Sequence, residues 1–135
     1  MNVILSIKPK YCQAIIEGRK KYEFRKRIPK HWKAARFLVY ASSPVQRIIG
    51  EFTSSEIVNA SPDEVWSRCG LDGGISKEEF FSYFEDKESA IALQIDDFNE
   101  YIPIDPWKAF NQFSPPQSYQ YLSIEDLFST SDKYT

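Results

Sequence analysis

The stretch Gly18-Arg19-Lys20-Lys21-Tyr22-Glu23-Phe24-Arg25-Lys26-Arg27 has seven charged residues in ten, six of them basic, in a 135-residue chain of formal net charge −2. Glu23 is its one carboxylate. Gly18 follows a helical apolar pattern (Tyr11, Ile15, Ile16) opened by Pro9, so it sits where a helix-ending glycine takes left-handed φ without steric cost. From Lys21 to Arg25, charged and aromatic residues alternate with period two. This predicts a strand with Tyr22 and Phe24 on one face and Lys21, Glu23 and Arg25 on the other. Glu23 and Arg25 are then about 7 Å apart along the strand. Lys20 has the opposite parity and reaches the same side only from a turn that precedes strand geometry.

Working outward, Asn2 to Ile7 reads as a strand with Val3, Leu5 and Ile7 on one side. Arg36 to Ala41 reads as another, closed by a turn at Ser42-Ser43-Pro44. Arg47 to Val58 reads as one long strand with a bulge at Gly50. Ser61-Pro62-Asp63-Glu64 and Ser76-Lys77-Glu78-Glu79 are capping boxes that open two helices, the second carrying Phe80, Phe81 and Phe84, with a glycine-rich turn at Cys69 to Gly74 between them. Ala90 to Ile95 and Tyr119 to Leu122 read as strands. Pro106 to Phe110 reads as one helical turn, and a short helix starts at Ser123. The fold class expected is α+β: a partly closed β-barrel of five or six strands with about three helices and no βαβ repeat, because closure hides strand edges. Residues 1–128 form the single domain of this reading and 129–135 a frayed polar tail.

Three Trp, eight Tyr and ten Phe point to a ring-rich core. Cys12 and Cys69 form no C-x-x-C and, with one histidine, make no zinc site; they read as reduced packing residues of a cytoplasmic protein. No metal or cofactor is expected. The acidic cluster Glu85, Asp86, Glu88, Asp96 and Asp97 lacks cation-loop spacing and reads as a solvated face. Val3 to Ile7 is too short for a signal peptide, and no apolar run reaches the roughly 20 residues of a membrane span. Charge is divided unevenly. Residues 1–47 carry twelve cations and two acids, a balance of +10, and residues 48–135 carry five cations and seventeen acids, a balance of −12. Such a split signals an anionic partner, or an acidic half that folds onto a basic one.

The cations Lys8, Lys10, Arg19, Lys20, Lys21, Arg25, Lys26, Arg27, Lys30, Lys33 and Arg36 are interleaved with Tyr11, Tyr22, Trp32 and Tyr40. Cations for phosphates with rings for bases is the pattern of single-strand binding. Lys8, Arg19, Lys21, Lys26, Arg27 and Trp32 are the nucleic-acid candidates. Trp32, between His31 and Lys33, is the best stacking residue. Lys20, Glu23 and Arg25 together can hold a planar polar ligand, with Glu23 accepting from an amino group and Arg25 donating. They can equally support hydrolysis, with Glu23 activating water and Lys20 stabilising an oxyanion. A plain ion pair closing a barrel mouth is the third alternative. Tyr40, Ser42, Ser43, Gln117 and Ser118 are further ligand-binding candidates; for the serines, turn formation competes with that role.

The spacing G-x-K-x-x-E-x-R (Gly18, Lys20, Glu23, Arg25) resembles the signature of the ASCH domain family, which has a PUA-like β-barrel. The Lys-Pro helix entry within Leu5 to Ile16, Tyr40-Ala41-Ser42-Ser43-Pro44, Gly50-Glu51 and Pro115-Pro116-Gln117-Ser118 are also similar to small stand-alone members, in the same order. The resemblance implies binding of RNA or another nucleic acid, or of a modified nucleoside, with a regulatory role. Alternatively it implies a hydrolase. Some small bacterial members hydrolyse N(4)-acetylcytidine with a Lys, a Thr and a Glu, and others are described as ribonucleases on single-stranded RNA. Carried over, the Lys falls on Lys20, while the Thr falls on Glu23, which lacks the hydroxyl. The Glu falls in the loop near Asp72, with no single residue assigned. Lys20 and Glu23 are the catalytic candidates of that reading.

Overall fold

The computed structural model describes residues 1–122; the helix expected from Ser123 and the tail 129–135 lie outside the described residues. Strand β1 (Asn2–Ile7) leads into helix α1 (Pro9–Ile16), followed by β2 (Tyr22–Arg25), β3 (Arg36–Ala41), β4 (Arg47–Thr53) and β5 (Ile57–Ala60). Helices α2 (Pro62–Cys69) and α3 (Lys77–Tyr83) come next, then β6 (Ala90–Gln94), β7 (Asp96–Ile104), α4 (Pro106–Ala109) and β8 (Tyr119–Leu122). The class is α+β, with eight strands in two sheets, ordered β7-β4-β3-β1-β8 and β2-β6-β5. Among the described residues the sheets do not close into a barrel.

Two differences from the sequence reading have local causes. The long strand expected from Arg47 to Val58 is two strands in two different sheets. At the corner, Ser54 Oγ donates to the Glu56 carbonyl, and the Ser55 amide and hydroxyl donate to the Asp96 carboxylate at 2.8 and 2.7 Å. Serine side chains here offer the backbone an alternative to the ladder. The second difference is β7, which runs on directly after β6 across the same corner. A third feature is the pairing of β1 with β3, which is parallel, so the chain crosses over through α1 and β2 between them.

Gly50 lies within a register shift between Ile48 and Gly50 in the β4–β7 ladder. A Cβ there would come within 2.7 Å of both the Phe98 ring and the Asn99 carbonyl, so β7 crosses β4 closely at this point.

The core has three parts. Val3, Leu5, Ile7, Phe37, Val39, Phe52 and Leu93 pack with Cys12 and Ile15 of α1. On the other face of the five-stranded sheet, Ile4, Leu38, Tyr40 and Ile48 pack with Ala109 and Phe110. Central β1 is therefore covered on both faces, as expected of a strand with a parallel neighbour. Under the second sheet, Phe24, Ala90 and Ala92 pack against Val65, Cys69, Phe80 and Phe84 from the two capped helices. Ser61 Oγ accepts from the Glu64 amide and Ser76 Oγ from the Glu79 amide, so both expected helix starts are capped.

Cys12 and Cys69 are both buried and unbridged. Burial pushes the Cys12 thiol up to about 12, and the negative charge of Glu23 reinforces the rise. At pH 8 this leaves roughly a thousandfold less thiolate than an ordinary thiol would have. Native protein is therefore expected to resist iodoacetamide at Cys12, with alkylation appearing as urea unfolds the chain; prompt labelling of the folded protein would contradict this burial.

Phe80 is fully enclosed, with ring centroids of Phe24, Trp66, Phe81 and Phe84 between 4.9 and 5.2 Å away. Phe80→Ala should cost about 3–5 kcal/mol in urea denaturation, from lost transfer energy and an unfilled cavity.

Candidate functional site

The decapeptide from Gly18 to Arg27 is divided by burial. Gly18 has φ +78° and ends α1; the amides of Arg19 and Lys20 both donate back to the Ala14 carbonyl. The chain then passes through Lys20 before β2 begins at Tyr22, which satisfies the parity condition set by the sequence. Lys20, Glu23 and Arg25 turn inward at 3, 5 and 6 % exposure, whereas Arg19, Lys21, Lys26 and Arg27 are exposed. Phe24 packs in the core under the second sheet, with Tyr22 partly buried against it.

Glu23 lies between two cations. Its Oε2 accepts from Arg25 Nη1 at 3.3 Å, and its Oε1 is 3.7 Å from Lys20 Nζ. The second contact is an ion pair longer than a hydrogen bond. Lys20 Nζ donates to the Gly73 carbonyl at 2.7 Å and stands over the rings of Tyr11 and Phe24, 5.1 and 4.8 Å from their centroids. The backbone of Lys20 also bridges Gly73. The glycine-rich turn is thus pressed against Lys20: a Cβ on Gly74 would come within 2.7 Å of Lys20 Cβ, and one on Gly73 within 2.6 Å of the Phe24 ring. Burial lowers the pKa of Lys20, and the negative charge of Glu23 opposes that shift.

Arg25 acts as a fastener as well as a counter-ion. Nη1 donates to the Ser6 carbonyl at 3.1 Å, and Nη2 donates to the Ser118 carbonyl and hydroxyl at 2.6 and 3.0 Å. Arg25 Nε is buried without a partner among the described residues. Two tyrosines adjoin this floor. Tyr11 from α1 feels the charge of Glu23, which helps burial and Glu79 raise its pKa. Tyr83, at the end of α3, is raised mainly by burial and feels both Arg25 and Glu23. Lys26 Nζ lies 4.4 Å from the centre of the Tyr83 ring.

The remaining candidates spread out. Ser118 joins the network through Arg25, and Gln117 beside it is exposed. Ser42 is half-buried and Ser43 exposed, in a turn where the Ser42 amide donates to the Ile7 carbonyl. Tyr40 is 1 % exposed, with its ring against Trp107 and Phe113 on the opposite face of the sheet. Lys8 is exposed just before α1. Trp32 is half-buried against the core near the Asn2–Arg36 end of β1 and β3, whereas Arg25 binds at the Ser6 end. A surface concavity of about 650 Å³, lined by Arg19, Lys21, Asp72 and Ser76 among others, is not lined by Lys20, which turns the other way. Sequence reasoning missed the carbonyls of Ser6 and Gly73, which no side-chain pattern reveals. It also missed Tyr83 and Glu79, whose only signal is their i, i+4 spacing on one helix face.

Residues 5–100 match the ASCH domain. The chain belongs to the ASCH domain family. An ASCH domain-containing ribonuclease of Zymomonas mobilis is 36% identical over 128 residues, 93% of this chain and 86% of that protein. The crystal structure of ASCH from Zymomonas mobilis superposes with a TM-score of 0.88 at 32% identity, covering 97% of this ASCH chain and 94% of the other. The N-terminal domain of Staphylothermus marinus McrB, 14% identical with a TM-score of 0.62 over 97% of this chain and 93% of that one, shares the fold.

Removing the central carboxylate while keeping its shape should expose the cost of this arrangement. Glu23→Gln leaves Lys20 and Arg25 buried without a counter-charge, and a loss of about 3–5 kcal/mol in urea denaturation is expected. A change near zero would mean that water reaches the pair and that the charges are not dry.

Proposed function

We propose that this protein binds single-stranded RNA along its exposed cations and directs one base or modified nucleoside toward the Lys20–Glu23–Arg25 network, with Ser118 beside it. The observation that carries the reading is the division of one basic run into two populations. Three charges are buried and mutually paired; their neighbours in sequence face solvent. Neutralisation by the acidic half does not account for the exposed set. Among the described residues, ion pairs between the two halves involve only Lys10 with Glu79, Arg36 with Glu51 and Arg47 with Asp105. Lys8, Lys21, Lys26 and Arg27 form no ion pair with an acid among the described residues, and Lys21, Lys26 and Arg27 border the buried network in sequence. Uncompensated cations beside half-exposed rings are what a single strand needs, with phosphates on the former and bases on the latter. Tyr83, 40 % exposed, is an exposed ring beside the network, and Lys26 Nζ lies 4.4 Å from its centre. Trp32 would serve a strand that continues to the far end of β3.

The likeness to the Zymomonas ribonuclease favours a second reading, in which the same network cleaves the bound RNA. Glu23 takes the proton from a ribose 2′-hydroxyl, whose oxygen forms a bond to phosphorus. The bond to the 5′-oxygen breaks, and that oxygen takes a proton from water or Lys20. Lys20 and Arg25 offset the charge that develops on the phosphoryl oxygens. For an N-acetylated cytidine, Glu23 would take a proton from water as its oxygen bonds to the acetyl carbonyl carbon; the bond from that carbon to N4 then breaks, N4 takes the proton back from Glu23, and acetate and cytidine leave.

Labelled single-stranded RNA should bind with a log–log salt slope of about −0.7 per phosphate contacted. Lys21→Glu with Arg27→Glu should weaken binding and flatten that slope while leaving the melting temperature near its starting value, because both side chains are exposed. Absence of binding even at low ionic strength would refute the RNA reading. Mass spectrometry of the same RNA and of acetylated cytidine after incubation separates binding from either hydrolysis.

A further inference from the structure

Helix α3 begins with a capping box that is only half made. Ser76 Oγ accepts from the Glu79 amide, as the motif requires. In the reciprocal half, the Glu79 carboxylate would return to the Ser76 amide. Instead it leaves its own helix and crosses to α1. There it accepts from Lys10 Nζ at 2.7 Å and from the Tyr11 hydroxyl. These donors and the positive charge of nearby Lys8 hold the Glu79 carboxyl below the usual range. An ammonium and a hydroxyl on one turn of α1 therefore converge on an anion, and the anion is the protein's own.

The Tyr11 ring connects this pair to the buried network. Its hydroxyl meets Glu79, while its face lies 5.1 Å from Lys20 Nζ. An anion at the hydroxyl end is thus separated from Lys20 by a single aromatic ring. Glu79 is half-exposed and so is Lys10, so the contact is open to exchange. Pairs of this kind are worth about 0–1 kcal/mol and are readily replaced by a competing anion.

We propose that Lys10 and the Tyr11 hydroxyl form a phosphate-binding subsite for RNA, which Glu79 occupies in this structure and an RNA phosphate displaces. The inference rests on the RNA-binding reading and adds to it a specific subsite with an intramolecular competitor. Glu79 then weakens RNA binding through occupancy of the site, over and above its charge.

The probe is a fluorescein-labelled oligouridylate of about ten nucleotides, within the range single-strand sites cover. Binding is read by anisotropy at several salt concentrations for wild type, Glu79→Gln and Glu78→Gln. Glutamine is compatible with the third position of a capped helix, so α3 is retained. Glu78 lies on the same turn, is exposed, and makes no ion pair among the described residues, so its variant subtracts the general effect of one lost negative charge. Glu79→Gln should bind about two- to fivefold tighter than Glu78→Gln, the range expected for releasing one exposed pair. Its salt slope should steepen by about 0.7, one further phosphate. Adding Tyr11→Phe to Glu79→Gln should take away the gain. If wild type binds but the two glutamine variants are equal, the subsite is wrong and the RNA reading stands. If the gain survives Tyr11→Phe, the hydroxyl is not part of the subsite and the proposal fails as stated. If neither wild type nor Glu79→Gln binds at low salt, both readings fall together.

Discussion

A buried carboxylate held between two buried cations governs this structure. Taking Glu23, Lys20 and Arg25 out of water carries a desolvation cost of several kcal/mol per ion, offset only if the charges face one another and their remaining donors find acceptors. The fold supplies those acceptors from distant segments. Lys20 needs the Gly73 carbonyl, which brings the loop between α2 and α3 against β2. Arg25 needs the carbonyls of Ser6 and Ser118, which brings β2 to the end of β1 and to the segment before β8. Satisfying three charges therefore fixes how the second sheet meets the first. An apolar trio of similar volume could hold the sheets together as well, so stability alone gives no reason for ions here. Among the described residues the Lys20–Glu23 contact is 3.7 Å long and Arg25 Nε has no hydrogen-bond partner, so these charges do not fully satisfy one another.

The same interaction explains what the sequence could reveal. The alternation from Lys21 to Arg25 is strong because both faces of β2 are used, one by Phe24 in the core and the other by Glu23 and Arg25. Gly18 marks the end of α1 because the left-handed φ there suits glycine. The parity of Lys20 limited it to a turn, and the turn is where it lies. The corner at Ser54 and Ser55 was not legible, since the Ser55 amide and hydroxyl donate to Asp96, 41 residues later. Strand β7 was hidden for a different reason: it is an edge strand with exposed residues along most of its length, a positive-φ residue at Asp97 and a proline at 103. Such strands carry little of the buried periodicity from which strands are read. Backbone acceptors carry no sequence signal, so the carbonyls of Ser6, Gly73 and Ser118 that hold Arg25 and Lys20 emerge only from the folded structure.

Charge segregation along the chain acquires a spatial meaning once burial is known. The first 47 residues supply most of the exposed cations among the described residues, yet the most basic decapeptide contributes to the interior as well as to that surface. Pairing across the two halves uses few of the exposed cations among the described residues, and Lys10 is one of them. The protein therefore keeps exposed cations without an ion-pair partner among the described residues at net charge −2. With screening over about 8 Å at physiological salt, the field at such a cation is set by its near neighbours more than by the net charge.

The capping box at α3 shows how one residue can be assigned correctly by sequence and still be used otherwise. Ser76 and Glu79 start the helix as the motif says, and the amide half of the motif is enough for that. The carboxylate is freed by this economy, and the nearest donors are those of α1 rather than its own N-terminus. Joining α1 to α3 through Glu79 places a negative charge one ring away from Lys20, on the side where Lys8 and Lys10 leave a cationic approach. On the RNA-binding reading proposed above, an acid in that position would lower the affinity of the approach for a polyanion until it is displaced. Local helix stability needs no such contact, since the cap is already made. On the proposed RNA-binding reading, the contact acts at the level of the site, as a charge that would tune access to the Lys20–Glu23–Arg25 network.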